Sequence, residues 1–203
     1  MNVLFLGCAV FGLFLMAGGG VERAEAGIFT LTHYQEVGAY SLGVEPEFTL
    51  TNGGGAAANL KYQYGLASLA NMQLTLGSGV GRSHFRLGTA FTYDIIPDIE
   101  DQPGLGLLVT GTYYRYNYFG QFEVVGGPFA HKVFRNGKGN EVEPFVAIPL
   151  GPVFRASDYH WQAQVALGAM FREEKSKLTY VVEGDMNLNQ AETVISGGVS
   201  YTP

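Results

Sequence analysis

The sequence predicts an all-β protein, an antiparallel up-and-down transmembrane β-barrel of about ten strands with a range of 8–12. Apolar and polar residues alternate with period two along most of the chain after residue 38, which is typical of strands whose two faces meet different surroundings. Glycine supplies 29 of the 203 residues, and Phe, Trp and Tyr together supply 13%. Charged residues make up 15%, where a soluble domain carries about 25%. These compositions argue against disorder and against a coiled coil.

The charge balance and the hydropathy exclude two further classes. The chain has 12 Lys and Arg against 18 Asp and Glu, a net charge of −6, which repels a phosphate backbone, so we expect no nucleic-acid partner. Beyond the N-terminus no stretch is long and apolar enough for a transmembrane helix, which needs about 20 apolar residues. A helical membrane bundle is therefore excluded.

The N-terminus has the pattern of a cleaved signal peptide. Residues 3–16 are uncharged and apolar or small, too short a run to span a bilayer, and Ala24-Glu25-Ala26 supplies a small-x-small cleavage site. We therefore predict a signal peptide over 1–26 and a mature chain that begins at Gly27. The alternative is an N-terminal helix packed on the domain.

The remaining chain is predicted to form one domain, with a short N-terminal segment over 27–37 and the barrel over 38–203. The one cysteine, Cys8, lies in the signal peptide. The mature chain therefore offers no disulfide, no thiolate nucleophile and no cysteine ligand for a metal.

Each predicted strand shows period-two alternation, and Gly, Asn and Pro mark most of the connections between strands. The alternation is weaker in the middle of the chain, where Leu108, Val125 and Phe129 fall on the polar face. The ten predicted strands are 38–51, 59–66, 71–77, 83–95, 104–114, 118–132, 141–151, 160–172, 177–188 and 193–201.

Alternating strands close equally well into a soluble lipocalin-like barrel with its apolar face inside or a membrane barrel with that face outside. The polar face is rich in Gly, Ser, Thr, Asn and Gln, where a soluble exterior would be rich in Lys and Glu. The apolar face is large and carries aromatics near strand ends, which favours the membrane barrel. The predicted lipid-interface aromatics are Tyr40, Tyr62, Tyr64, Tyr93, Tyr113, Trp161, Phe171, Tyr180 and Tyr201.

Acidic residues outnumber basic ones on the face predicted to line the lumen. A barrel near this size is filled by its own side chains, so these charges are expected to pair and plug it. The alternative is a narrow pore lined by carboxylates. The predicted lumen charges are Glu45, Glu47, Lys61, Arg86, Asp94, Glu123, Glu143, Arg172, Lys177, Glu183 and Asp185.

One ion pair follows from the predicted register of the first hairpin. A loop over 52–56 places Glu47 directly opposite Lys61, and both residues have the inward parity. Opposite side chains on one face lie about 4.5–5.5 Å apart at Cβ. We therefore predict a Glu47–Lys61 pair in the lumen.

On these residues and this alternation, the chain over 27–203 resembles the small outer-membrane β-barrel proteins of Gram-negative bacteria. The resemblance rests on pattern and has no diagnostic motif. It implies export through the inner membrane, insertion into the outer membrane by the β-barrel assembly machinery, and contact with outer-membrane lipid. Another envelope protein is expected as a further partner.

The sequence shows little that points to chemistry. His84, His131 and His160 are scattered on the inward parity and form no Ser-His-Asp spacing, and no His or carboxylate pair has the spacing of metal ligands. We therefore expect no enzyme activity, no metal and no cofactor. The predicted function is a structural or assembly-partner barrel with a charged, largely plugged lumen. The alternatives are a narrow cation-preferring pore and a soluble periplasmic lipocalin-like ligand-binding barrel.

Overall fold

The computed structural model describes residues 35–51, 54–81, 85–116, 119–155 and 158–203. The predicted signal peptide and most of the predicted N-terminal segment lie outside these ranges. The described part of the chain has no α-helix long and apolar enough to cross a membrane. Its strands are β1 (Tyr40–Thr49), β2 (Gly55–Ala67), β3 (Ala70–Gly81), β4 (Phe85–Ile96), β5 (Gly104–Tyr116), β6 (Phe119–His131), β7 (Phe134–Arg135), β8 (Glu141–Ala147), β9 (Leu150–Arg155), β10 (Asp158–Arg172), β11 (Leu178–Asn189) and β12 (Val194–Tyr201).

The strands close into an antiparallel barrel in which β12 pairs with β1. β8 and β9 together make one wall strand, because both pair with β6 on one side and with β10 on the other. Their register is continuous: Ala147 of β8 opposes Phe129, and Arg155 of β9 opposes Gln121. β7 pairs only with β8 and extends it as a small hairpin. The wall therefore has ten strands, which confirms the predicted architecture.

Polar residues face the interior and apolar residues face outward. In β1, Glu47 is 1% exposed, whereas the neighbouring Phe48 is 54% exposed. In β2, Asn59 is 0% and Leu60 is 57% exposed. This arrangement is the inverse of a lipocalin-like barrel and suits a wall surrounded by hydrocarbon. The predicted assignment of the two faces is therefore confirmed.

The connections divide unequally between the two ends of the barrel. β1 begins and β12 ends at one end, called the terminal end below, because these two strands are antiparallel neighbours. The two longest connections, 97–103 and 132–140, lie at this end. The opposite end, called the distal end, carries shorter ones such as 50–54 and 190–193.

The first hairpin corrects the predicted register. Thr49 opposes Gly55, so the loop spans 50–54, and Glu47 faces Ala57 while Lys61 faces Gly43. The shift comes from residues 56–58, three alanines that carry no alternation and yet are paired in β2. The loop lies two residues earlier than predicted, an even number, so each side chain keeps its predicted face. Glu47 and Lys61, however, are not opposite each other.

Candidate functional site: the closed, charged lumen

A guanidinium crosses the lumen between two strands that are not neighbours. Arg86 of β4 places Nη1 2.6 Å and Nη2 2.7 Å from the carboxylate oxygens of Glu47 on β1. Asn59 donates to the same carboxylate at 3.1 Å, and the Tyr114 ring lies 5.0 Å from Arg86 Cζ. A bidentate Arg–carboxylate pair has fixed geometry, so it braces the interior across β2 and β3.

A second ion pair lies beside the first, next to an excess of acid. Lys61 Nζ is 2.6 Å from Glu45 Oε2. Glu183 and Asp185 on β11 are 4% and 1% exposed and lie near enough to Lys61 to interact with it electrostatically. Glu183 Oε2 and Asp185 Oδ1 have no hydrogen-bond partner. With Glu47, this region holds four carboxylates against the two cations Lys61 and Arg86.

A histidine joins three strands near the terminal end. His131 of β6 places Nδ1 2.7 Å from Glu143 Oε1 of β8 and Nε2 3.1 Å from Asp94 Oδ2 of β4. The ring lies directly over Gly104, where any Cβ would overlap the imidazole. The three charged side chains are each less than 10% exposed. We call them the His131 clasp.

The loops above the clasp are tied to one another. Lys132 Nζ is 2.5 Å from Asp98 Oδ1 and also donates to the Glu100 carbonyl, which holds the 97–103 loop against β6. Glu141 accepts from both Arg135 and Arg172 at 2.7 and 2.5 Å. A cavity of about 370 Å³ lies between these loops and the clasp.

Part of the interior is apolar, beside buried polar side chains of the same strands such as Glu123 and Gln162. The residues that broke the alternation in the sequence point inward, where Phe129 covers Gly106 and Phe145 covers Gly168. A cluster of this kind fills the lumen as a protein core does. We call it the apolar lumen, and it consists of Leu108, Val125, Phe129, Phe145, Ala147, Ala166, Met170 and Val181.

Two small cavities lie among the polar groups of the interior. One cavity beside Glu45 and Lys61 measures about 20 Å³, and one beside Arg86 and Tyr114 about 10 Å³. Each has room for about one water molecule. These two gaps are therefore of water size, and the larger cavity lies at the terminal end, between the clasp and the loops.

Nine of the eleven predicted lumen charges are buried inside the barrel, and two lie at its terminal rim. Arg172 is half-exposed beside Glu141. Lys177 is exposed, with Nζ 5.8 Å from the centre of the outward Tyr201 ring, so the structure does not place it in the lumen. It precedes the first residue of β11, Leu178, and strand parity no longer applies there. The nine buried charges are Glu45, Glu47, Lys61, Arg86, Asp94, Glu123, Glu143, Glu183 and Asp185.

The sequence missed one buried acid and one contact. Glu192 is 3% exposed although it lies in the 190–193 connection. The alternation placed Tyr114 on the inward face but did not predict that it packs on Arg86. Nothing in the sequence marks a buried acid in a connection such as that of Glu192.

The predicted interface aromatics have the outward parity and form two bands at the strand ends. Tyr40 stacks on Tyr62, with ring centres 6.0 Å apart. The band at the terminal end contains Tyr40, Tyr62, Tyr64, Tyr93, Phe171, Tyr180 and Tyr201. The band at the distal end contains Tyr113 and Trp161, together with Phe85, Phe122, Phe154 and Tyr159, which the prediction omitted. Bands of this kind are typical of the two interfaces of a membrane barrel.

The described residues contain no group of three His, Cys, Asp or Glu side chains with the geometry to hold a metal ion. Of the predicted inward histidines, His131 belongs to the clasp and His160 lies on β10. His84 lies outside the described residues. No cofactor site was predicted, and that expectation stays a prediction.

The likeness to known proteins is structural. No family model matches the sequence, and no curated protein matches it. A designed transmembrane β-barrel aligns at 12% identity with a TM-score of 0.38, over 84% of this chain and 100% of the designed one.

Two natural barrels align in the same way. A bacterial polysaccharide outer-membrane secretin aligns at 8% identity and a TM-score of 0.45, over 81% of this chain and 65% of the secretin chain. The β domain of the Bordetella autotransporter BrkA aligns at 11% and 0.45, over 83% of this chain and 100% of that domain. The class assignment rests on this chain's own ten-strand closure, apolar exterior, aromatic bands and polar interior. The chain has the architecture of an outer-membrane β-barrel.

Proposed function

We propose that the protein is an integral outer-membrane barrel with a structural or assembly-partner role and a plugged lumen. The observation that carries the proposal is the Arg86–Glu47 brace, which crosses a lumen whose neighbouring cavities measure about 20 and 10 Å³. Barrels near this size have an interior that their own side chains can fill, which leaves no open channel. The barrel then acts through its outer surface and its rim.

Planar-bilayer conductance tests the plugged lumen. We expect no steady conductance from the wild-type protein. Replacing both braced residues, in Glu47→Ala with Arg86→Ala, should produce an ion leak, because it removes the side chains that cross the lumen. Thr89→Ala, an exposed outward position on the same strand as Arg86, serves as the matched control and should stay silent. Steady wild-type conductance would refute the plug.

The second candidate function is a narrow cation-preferring pore. It is favoured by the excess of carboxylates near Lys61, where Glu183 and Asp185 each keep an oxygen without a hydrogen-bond partner. Carboxylates lining a pore select cations. The same bilayer experiment separates the two functions. A cation-preferring pore predicts a wild-type current whose reversal potential, under a salt gradient, lies near the equilibrium potential of the cation.

The location belongs to the proposal as well. We propose that cleavage after Ala26 yields a mature protein starting at Gly27, exported across the inner membrane and inserted into the Gram-negative outer membrane by the β-barrel assembly machinery. N-terminal sequencing and membrane fractionation test this. Recovery in the soluble periplasm without detergent would contradict it.

We further propose that the barrel binds another envelope protein and has no enzymatic activity. An envelope protein that binds the terminal end would contact the tied loops 97–103 and 132–140. Cross-linking in intact cells, followed by purification in detergent, tests for such a partner. We propose no enzymatic activity, and a lipid-modifying reaction would be seen as altered phospholipid or lipopolysaccharide in cells that overproduce the protein.

A further inference from the structure

The backbone ladder between β6 and β8/β9, called the seam below, is weakened by proline. Proline has no N–H to donate to a ladder. Pro128 lies on β6, Pro144 on β8 and Pro152 on β9, while Pro149 falls between β8 and β9. Half of the chain's eight prolines are therefore on these two wall strands.

The register identifies the ladder bonds that proline removes. Ile148 N donates to Pro128 O at 3.0 Å, but the reciprocal bond to the Ile148 carbonyl would need an N–H on Pro128. By the same register Val124 opposes Pro152, and the Val124 carbonyl lacks its donor. Such losses are costly in a wall surrounded by lipid, where no water replaces the missing bond.

Each of the two carbonyls that proline leaves without a ladder donor lies against a glycine of the neighbouring strand. A Cβ on Gly127 would overlap the Ile148 carbonyl oxygen, and one on Gly151 would overlap the Val124 oxygen. The two backbones therefore approach through Cα–H contacts, which are weaker than N–H donors. The seam therefore keeps its ladder at the other paired positions and is closely packed where proline interrupts it.

Side chains fasten the seam at its two ends. At the terminal end His131 of β6 meets Glu143 of β8 at 2.7 Å. At the distal end Arg155 of β9 donates to Gln121 of β6 at 3.3 Å. The weak middle is thus held between two polar contacts, of which the His131 clasp is the shorter.

Much of the interior behind the seam is apolar, as the hydrocarbon of the bilayer is. Val125 and Phe129 of β6 and Phe145 and Ala147 of β8 belong to the apolar lumen. Parting β1 from β2 would instead bring buried charges such as Glu47 to the bilayer, at a high cost. Besides the clasp, the buried charge on the two seam strands is Glu123 of β6, whereas β1 and β2 carry Glu45, Glu47 and Lys61.

We propose that this seam opens laterally and admits a hydrocarbon chain from the bilayer into the apolar lumen. Release of the His131 clasp frees the terminal end, the strands separate where Pro128 and Pro152 interrupt the ladder, and the chain enters beside Phe145. Met170, at 3% exposure, is the flexible side chain of the cluster that can yield space. The opening rests on the membrane-spanning fold and is independent of whether the polar side of the lumen conducts ions.

Cysteine labelling tests the route, since the predicted mature chain has no cysteine of its own. Ala147→Cys places a thiol behind the seam at a site 1% exposed, and Val194→Cys places one inside β12 at a site 0% exposed. The probes are pyrene maleimide, which partitions into the bilayer, and a charged methanethiosulfonate, which stays in water. We expect pyrene maleimide to label Ala147→Cys about tenfold faster than Val194→Cys, because labelling of a buried thiol follows local opening.

Two further measurements test the role of the His131 clasp and the route by which the reagent enters. His131→Gln added to Ala147→Cys should raise the pyrene maleimide rate several-fold and leave the rate of Val194→Cys unchanged. Equal rates at the two thiols would overturn the proposal. So would labelling of Ala147→Cys by the charged reagent as fast as by pyrene maleimide, which would indicate entry through the mouth. Heat-modifiable migration in gels verifies that each variant is folded.

A second measurement covers the case in which Ala147→Cys does not fold. Ala130 and Val146 are paired outward residues across the seam, and Leu74 and Thr89 are paired outward residues across β3 and β4. A disulfide from Ala130→Cys with Val146→Cys should slow amide exchange over 121–131 and 141–155. The disulfide from Leu74→Cys with Thr89→Cys should not. No slowing by the seam disulfide would also overturn the proposal.

Discussion

Arg86 and Glu47 form a bidentate ion pair across the lumen, with N–O distances of 2.6 and 2.7 Å, although their strands are separated by two others. Neighbouring strands are joined by the ladder, so a contact of this range adds a constraint that the ladder cannot supply. Both residues are at most 5% exposed. Removing one partner leaves a buried charge without its counterion.

The first prediction concerns this brace. Arg86→Met should lower the free energy of unfolding by about 3–5 kcal/mol, because Glu47 remains buried and uncompensated. Adding Glu47→Gln should recover part of that loss. The measurement is a double-mutant cycle from urea unfolding in lipid vesicles. Lys177→Met, at the exposed rim, is the control and should change stability by less than about 1 kcal/mol. Absence of coupling between Arg86 and Glu47 would contradict the geometry.

The second prediction separates the observed register from the one expected from sequence. Glu45 and Lys61, which are 2.6 Å apart, should couple by about 0.5–3 kcal/mol in a cycle of Glu45→Gln and Lys61→Met. Glu47 is bound to Arg86 instead, so the cycle of Glu47→Gln and Lys61→Met should give a clearly smaller coupling. Larger coupling in the second cycle would restore the register with the 52–56 loop.

The difference between these two pairs shows which information the sequence carried. Alternation identified the face of Glu47 and Lys61, because each face of a strand meets one environment along its whole length. It left the register open, since alanines 56–58 suit either face and the loop could move by two residues without changing any side chain's face. Contacts across the lumen, such as Arg86 to Glu47, depend on barrel closure and have no local signal.

The apolar lumen was hidden for another physical reason. Leu108, Val125 and Phe129 looked like breaks in the alternation because a membrane barrel is expected to have a polar interior. The structure makes them the core of one side of the lumen. Strand existence in this part of the chain was still predictable, since turn residues and strand length were unaffected. The alternation could not show that apolar side chains fill part of the interior.

The third prediction tests the two faces. Leu87→Arg, at an outward position of β4 that is 53% exposed, should destabilise the barrel by about 2–4 kcal/mol, because it places a charge in hydrocarbon. Val165→Arg, outward on β10, should act similarly. Thr92→Arg has the inward parity and should be milder. Urea unfolding in vesicles measures all three, and equal effects would contradict the assignment of the faces.

The fourth prediction concerns the glycines of the seam, at which the two strands approach most closely. Gly127→Ala should destabilise the barrel by about 1–3 kcal/mol, because the added methyl group overlaps the Ile148 carbonyl and forces the backbones apart. Gly111→Ala is the matched control, since its Cβ would meet no atom nearer than Phe122 Cζ at 3.6 Å. Alanine there should be neutral or slightly stabilising, because it lowers the entropy of the unfolded chain. Urea unfolding of both variants, with heat-modifiable migration as the folding check, decides the matter. If the two substitutions cost the same, the carbonyl contact at Gly127 has no energetic weight, and the seam would be closed by its remaining ladder bonds and its side chains.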